Sequence, residues 1–543
     1  MTASNPPGTV ALVEFDPSAD GSHLVLVPQP SSDPNEPLNW STVRKWWNYM
    51  LTMAMVVAAF TLVTIQAVFW QQIGPDLDVT PQQLNNGNST QLAGLATGCI
   101  FFIPFAVKYG RRSVYLVSIA LMAAVSWWTA RMNTYTEMII TNFITGLSGA
   151  INETTVQMTI ADLFFVHQRG TANGLYFVAV MVGSFLTIMA GGAQAAVQGW
   201  RWSYYSLSMA LTVLLILFTA TFEETKYIPS NPHAQHSSST AGIETSGAPA
   251  ENEDPTANVG GGKNSDETKD QVIHLSKSNM VGEVIPPLNS YKERMRMTTT
   301  TSESLLRVFI APFKAIFFPH VLFTALQFAS GVCWLVLVIT MTSIVFSAPP
   351  YNFDTSGVGL MSLGPFVGNI FGSIYGGPVS DWSIARFAKR NGGTFEPEMR
   401  LYIMLPATLF MSGGLAMFGV TAGMGMHWIY PSVGGAFFAA GLGATGDIAF
   451  TFVIDSYRDL VAEAFVGIAF MRNVISIVIP LTSIDWLTNM GVVYMFVIAA
   501  LVNLFIGLLF IPMIIWGKRI RTALAPRYYH IIEKRLVHGL TGL

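Results

Sequence analysis

Charge is what this sequence has least of. Of its 543 residues, 11 % are Asp, Glu, Lys or Arg and 51 % are hydrophobic. Soluble domains carry roughly 25 % charge, so a water-soluble globular protein and a charge-rich disordered chain are both excluded. A net charge of −3 provides no basic field to hold nucleic acid. There are two cysteines, Cys99 and Cys333. Both sit in apolar runs, which excludes a disulfide framework and a thiolate zinc site. The nine histidines show no metal-ligand spacing. No Gly-rich loop ends in Gly-Lys-Ser/Thr, which argues against ATP-driven pumping. No nucleophile–base or metal set converges, so the chain is not read as an enzyme and no cofactor is implied.

What fills the space is long uncharged stretches. Residues 46–75, 170–200, 202–222, 315–353, 401–446 and 486–517 contain no Asp, Glu, Lys or Arg. A helix needs about 20 apolar residues to cross a ~30 Å hydrocarbon layer. The run 401–446 is therefore two crossings, broken at the Gly-rich stretch 422–427. The pattern predicts an all-α polytopic membrane protein with twelve transmembrane helices in two pseudo-repeated six-helix bundles. Six helices are expected near 46–68, 91–107, 113–131, 137–162, 171–195 and 203–222. Six more are expected near 318–346, 356–379, 401–421, 428–454, 463–484 and 491–516. Alternating β-barrel strands are excluded.

All of the 29 Lys and Arg except Arg131, Arg201 and Arg472 fall in one set of loops and tails, the side expected to be cytoplasmic. Both termini lie there. Residues 1–45 form an N-terminal tail without the pattern of a signal peptide. The first bundle covers 46–222, and 223–317 is a polar linker whose segment 230–264 reads as flexible. The second bundle covers 318–516, and 517–543 forms a tail. Lys292, Arg294 and Arg296 near the linker's end are either a lipid contact or a solvated basic run.

The halves repeat. Ile103-Pro104-Phe105-Ala106-Val107 with Lys108, Arg111 and Arg112 parallels Gly377-Pro378-Val379-Ser380-Asp381 with Arg386, Lys389 and Arg390. Ile160-Ala161-Asp162 with Arg169 parallels Val453-Ile454-Asp455 with Arg458. Many secondary transporters are built from such repeats, with a site between them.

With Lys108-Tyr109-Gly110-Arg111-Arg112 in place, the chain resembles the major facilitator superfamily along nearly its whole length. Further resemblance is to fungal drug:proton antiporter-type carriers, in the histidinol- and polyamine-permease-like branch. It rests on Pro34-Asn35-Glu36-Pro37-Leu38-Asn39-Trp40-Ser41 and on residues 161–170. Glu223-Glu224-Thr225, Ser380-Asp381-Trp382 and Glu396-Pro397-Glu398-Met399-Arg400 add to it. The chain departs from the pattern at Val107, where the family has an acid, and at Asn142, where it has Arg. In the fifth helix, Thr187-Ile188 stands between Gly183 and Gly191-Gly192 in place of the family's Gly-Pro.

Few polar groups fall inside spans, where a charge costs at least ~2.5–3.5 kcal/mol. Glu153 lies in the fourth helix, on one helical face with Asn142, Gly146, Gly149 and Gln157. The resemblance puts helices one, four, seven and ten around a central cavity. Out of water a carboxyl group favours its protonated form, which suits exchange of a proton for a cation. The alternative for Glu153 is a structural hydrogen bond to a neighbouring helix. Asp447 in the tenth helix stands opposite Thr154 in the repeat, either as a cavity acid or as a partner for Arg472. Arg472 in the eleventh helix is expected to pair with Asp455 or Asp447. Gln327 and Trp334 in the seventh helix and Gln66 in the first are further substrate candidates. Trp334 can stack on a cation.

Lys108, Arg111, Arg112, Asp162, Arg169, Asp381, Arg386, Asp455 and Arg458 are read as gating ion pairs. Because Val107 cannot pair, Asp381→Asn is expected to impair transport far more than Val107→Asn. Asn88 begins a glycosylation sequon expected in the first outer loop. The reading is a monomeric H⁺-coupled carrier of a small organic molecule, an amine or polyamine preferred, in a lipid bilayer. The plasma membrane is the expected one. The alternatives are an efflux pump for a fungal metabolite, toxin or drug, and a non-transporting nutrient receptor.

Overall fold

A backbone in hydrocarbon must satisfy its own amides, so the uncharged runs fold as helices. The computed structural model describes residues 6–11, 33–227, 287–300, 305–392 and 394–541. Among these, nine helical runs are long and apolar enough to cross a membrane. The last, Glu463–Ile532, contains two crossings that meet at Gly491 (φ +71°). Arg111–Thr129 and the broken pair Tyr135–Gly149 and Ile151–Leu163 complete the twelve.

The first six follow in order. Helix one is Thr42–Thr64, continued through Ile65–Phe69 and Trp70–Leu77. Helix two is Pro81–Tyr109 and helix three Arg111–Thr129. The two pieces of helix four come next. Helix five runs through Val166–Met181, Val182–Leu186 and Thr187–Gln198, and helix six is Trp200–Thr221. In the second half, helix seven is Pro319–Ser347. Helix eight begins at Thr355–Leu360 and continues through Leu363–Ile374, Tyr375–Val379 and Ser380–Arg390. Helix nine is Met404–Gly423 and helix ten Ile429–Ser456. Helix eleven starts with Val461–Ser476, and Val478–Gly507 carries the chain into helix twelve.

Several details differ from the sequence reading. Thr80 and Gln83 form a capping box that starts helix two at Pro81, ten residues before the expected 91. Asn88 therefore lies inside a helix rather than in a loop. Helix five lacks the Gly-Pro pair yet keeps an irregularity, the π-helical turn Val182–Leu186. There Gly183 lies so close to helix one that a Cβ would stand 2.6 Å from the Val57 carbonyl. In the polar connection, Leu305–Ile316 is a helix packed against helices two and eleven. Segment 230–264 lies outside the described residues. Beyond 517 the chain continues as helix Phe510–Thr541. Val10–Ala11 pairs antiparallel with Thr394–Phe395.

Helix two packs on helix eleven, and helix five on helix eight, across the seam between bundles. The face where helix one begins is here called the tail face. At the opposite face, polar groups close the seam. Asn85 Nδ2 donates to the Pro480 carbonyl (2.5 Å) and Ser483 Oγ (2.6 Å). Gln72 Nε2 donates to Thr355 Oγ1 (3.2 Å). Ser343 Oγ donates to the Ala67 carbonyl.

Candidate site between the bundles

Inward from that closed end lies a cavity with about 160 Å³ of room for water centres. Helices one, four, five, seven, eight, ten and eleven all contribute to its wall. Its lining is aromatic, with Phe60, Tyr176, Phe177, Phe328, Phe450 and Phe465 among others. Its charged groups are Glu153, Asp447 and Arg472.

Glu153 and Arg472 form an ion pair. Glu153 belongs to the first bundle and Arg472 to the second, so the pair crosses the seam. This replaces the expected pairing of Arg472 with Asp455 or Asp447. Helix eleven packs against helix four here, a contact between elements 319 positions apart in sequence. Asn473 joins the pair. Its Nδ2 donates to Glu153 Oε2 at 3.1 Å, and its Oδ1 accepts from Arg472 Nε at 3.1 Å and Nη2 at 2.8 Å. The Cys99 thiol of helix two lies 3.6 Å from Glu153 Oε2 and 3.6 Å from Asn473 Nδ2. Arg472 also stands over the Phe328 ring, 5.0 Å from its centroid. The cavity thus already holds one cation, between a carboxylate and an aromatic face.

Asp447 is arranged differently. Among the described residues its carboxylate has no ion pair or hydrogen bond. It sits beside Gly376 in the π-helical turn Tyr375–Val379, where a Cβ would come within 3.1 Å of its Oδ2. Phe328 and Phe450 are 4.5 Å apart, Phe450 and Phe465 5.0 Å, and all three line the same wall. Asn369 Oδ1 is buried there without a hydrogen-bond partner among the described residues.

Of the other substrate candidates, Gln157 lines the cavity. Four turn elsewhere. The face from Asn142 through Gly146 to Glu153 runs along helix two, and its Glu153 and Gln157 end lines the cavity. Asn142 packs against Gly87 of helix two, whose Cβ would stand 2.7 Å from its Nδ2. Gln327 donates to the Ile506 carbonyl between helices seven and twelve. Trp334 is buried and donates from Nε1 to Ser330 Oγ at 2.9 Å. Gln66 is buried in the 3-10 turn Ile65–Phe69 and is not part of the lining.

The expected gating residues gather at the tail face in two networks, one per bundle. In the first, Arg111 pairs with Asp162 at 3.1 Å. Glu224 accepts from the backbone amides of Arg111 (2.9 Å) and Arg112 (3.3 Å), capping helix three. Burial pushes the Glu224 carboxyl above the usual range, against the pull of its backbone donors. Arg112 donates to the Thr219 carbonyl at 2.8 Å, and Lys226 Nζ donates to the carbonyls of Val107 (2.6 Å) and Lys108 (3.0 Å). In the second network, Arg400 joins Asp455 (2.5 Å) and Asp381 (3.2 Å). Arg386 lies near the Trp382 ring and Arg458 is exposed. The side chain of Arg169 lies outside the described residues.

Sequence reasoning missed Asn473, Cys99, Asn369 and the joining roles of Arg400 and Glu224. The last two stood in quoted motifs, and Asn473 adjoins Arg472. Nothing in the sequence pointed to Cys99.

The family model described as Major Facilitator Superfamily matches residues 51–480. An uncharacterized MFS-type transporter of Schizosaccharomyces pombe is 29 % identical, over 97 % of this chain and 95 % of its own length. Protein HOL1 of Saccharomyces cerevisiae is 28 % identical, over 92 % of this chain and 90 % of its own. Among solved structures, the partially occluded inward open xylose transporter XylE from E. coli is similar in fold. Its TM-score is 0.55 at 12 % identity, covering 86 % of this chain and 97 % of that one.

Proposed function

Because this chain belongs to the Major Facilitator Superfamily and is a secondary transporter, we propose that it carries an organic cation, an amine or polyamine, with its movement coupled to protons. The carrying observation is the cavity's charge: two carboxylates, one of them unpaired, facing a wall of aromatic rings. An ammonium ion entering the cavity meets the Asp447 carboxylate, the free Asn369 carbonyl and the faces of Phe328, Phe450 and Phe465. Each suits a positive N–H donor. An anion would meet Asp447 as a repulsive group.

Glu153 supplies the coupling. While ionised it holds Arg472 and ties the two bundles together at the cavity wall. Protonation removes the Coulomb attraction and leaves a bond between an acid and a guanidinium that is weaker by the loss of one charge. The seam is then free to part, and the bundles rock between the closed and open forms of each face. The tail face is read as cytoplasmic from its basic residues, and the carrier as a plasma-membrane protein.

The test is accumulation of a labelled polyamine, with a panel of cationic toxins in parallel, at two external pH values. Cells would express the natural protein or Glu153→Gln. Accumulation favoured at acid pH and lost in the variant supports proton-linked uptake. Reduced toxin accumulation, lost in the variant, makes the protein an exporter. Unchanged handling of every probe in the variant overturns the site.

A further inference from the structure

The Arg472 guanidinium has a neighbour on each side of the seam: the Glu153 carboxylate in the other bundle and the Asn473 amide in its own. We propose that Asn473 is a positioning residue that holds Arg472 on Glu153 and thereby sets the proton concentration at which the bundles separate. This rests on reading Glu153 as the proton-linked group.

The geometry is a closed ring. Arg472 Nη2 meets Glu153 Oε1 and also donates to Asn473 Oδ1, and Asn473 Nδ2 donates back to Glu153 Oε2. One short amide offers an acceptor to the base and a donor to the acid. Consecutive residues on a helix do not face each other, so Arg472 reaches Asn473 by folding its long side chain back. The amide anchors it there with two hydrogen bonds. Asn473 is buried, at 1 % exposure, so water does not replace these bonds.

The neutrality of the amide is as telling as its position. A carboxylate at 473 would satisfy Arg472 from within its own bundle, and Glu153 would lose its hold across the seam. An amide cannot discharge the guanidinium, so the full charge remains directed at Glu153. The other groups around the pair come from four elements: the Cys99 thiol, the Tyr176 hydroxyl, the Asp447 carboxylate and the Phe328 ring. None of these bridges both partners in the way Asn473 does.

The test is the pH profile of the full-length carrier, read as accumulation of labelled spermidine in cells between about pH 4.5 and pH 8. A carboxylate parted from its counter-cation takes up a proton more readily. Asn473→Asp is expected to move the half-maximal rate to higher pH by about one unit, a tenfold change in proton concentration. Asn473→Leu, which removes the donor to Glu153, moves it the same way by a smaller amount. It serves in place of the Asp variant should that protein not reach the membrane. In a Glu153→Gln background, Asn473→Asp should restore no pH-dependent accumulation, because its action runs through Glu153. A natural pH profile in both single variants, at any rate of transport, overturns the proposal. So does pH-dependent accumulation restored by Asn473→Asp in the Glu153→Gln background. If instead Glu153→Gln alone keeps full pH-dependent accumulation, the underlying reading of Glu153 fails.

Discussion

The fourth and tenth helices hold matching places in the two halves, and each brings one carboxylate to the same cavity. Matching Asp162 with Asp455 puts Asp447 opposite Thr154, one residue from Glu153. Their surroundings nevertheless diverge. Glu153 is held by Arg472, Asn473 and the Cys99 thiol, all across a helix boundary and two of them across the seam. Asp447 faces open space and aromatic rings. The repeat is thus symmetric in backbone and asymmetric in charge. On the proposed function one acid joins the bundles and the other meets the ligand. A carrier needs both jobs done, and a strictly symmetric pair could not divide them.

Breaking the paired side should have the largest effect. Glu153→Gln leaves Arg472 buried without its counter-ion, and losing one partner of a buried pair costs about 3–5 kcal/mol. Transport should fall to background and the purified protein should melt several degrees lower. Adding Arg472→Gln should restore most of the melting temperature and none of the pH dependence. If the double variant melts as low as the single one, the pair is not what holds the seam.

Breaking the free side should act on binding instead. Asp447→Asn removes a charged partner for the substrate, and hydrogen bonds to charged groups contribute about 1.5–3 kcal/mol. The KM for a labelled polyamine should rise roughly 10- to 100-fold, following that energy. The melting temperature should hold or rise, because no protein partner is lost. A pure fall in maximal rate at unchanged KM would assign Asp447 to coupling and undo the division of labour. Phe328→Leu sharpens the same comparison, since its ring faces Arg472 now and would face the substrate later. A cation–π contact contributes about 0.5–2 kcal/mol, so KM should rise between twofold and thirtyfold.

How much of this could be read beforehand depended on whether the signal was local. The spans were legible because hydrocarbon excludes charge along a continuous stretch. Glu153 stood out for the same reason, being a charge in such a stretch. The partner of Arg472 was not legible, because the contact between helices four and eleven links distant parts of the chain. The faces of Asn142, Gln327 and Trp334 were not legible either. Which way a helix side chain points depends on rotation set by neighbours, and depth matters too, since Asn142 lies about three turns from Glu153 along the face toward helix two. Asn369 and Ser373 entered the lining from helix eight, an element the family resemblance did not place around the cavity.

The smallest effects belong to the tail face, where the two halves again differ. The sequence comparison made Asp381 the stronger partner, since its counterpart in the first half is Val107. The structure centres the second network on Arg400, with Asp455 at 2.5 Å and a side-chain exposure of 16 %. Asp381 lies at 3.2 Å and is 72 % exposed. Exposed ion pairs contribute about 0–1 kcal/mol, so Asp381→Asn should reduce the transport rate by no more than about fivefold, and by less than Asp455→Asn. Asp455→Asn leaves Arg400 only the screened partner and should reduce it several-fold. In the first half, Glu224 and Lys226 cap the helix ends beside Val107 with half-buried groups, so Val107→Asn should change little. Measured side by side, a larger loss from Asp381→Asn than from Asp455→Asn would mean that exposure does not rank these pairs. The exposed carboxylate would then have to act in a conformation whose tail face is arranged differently.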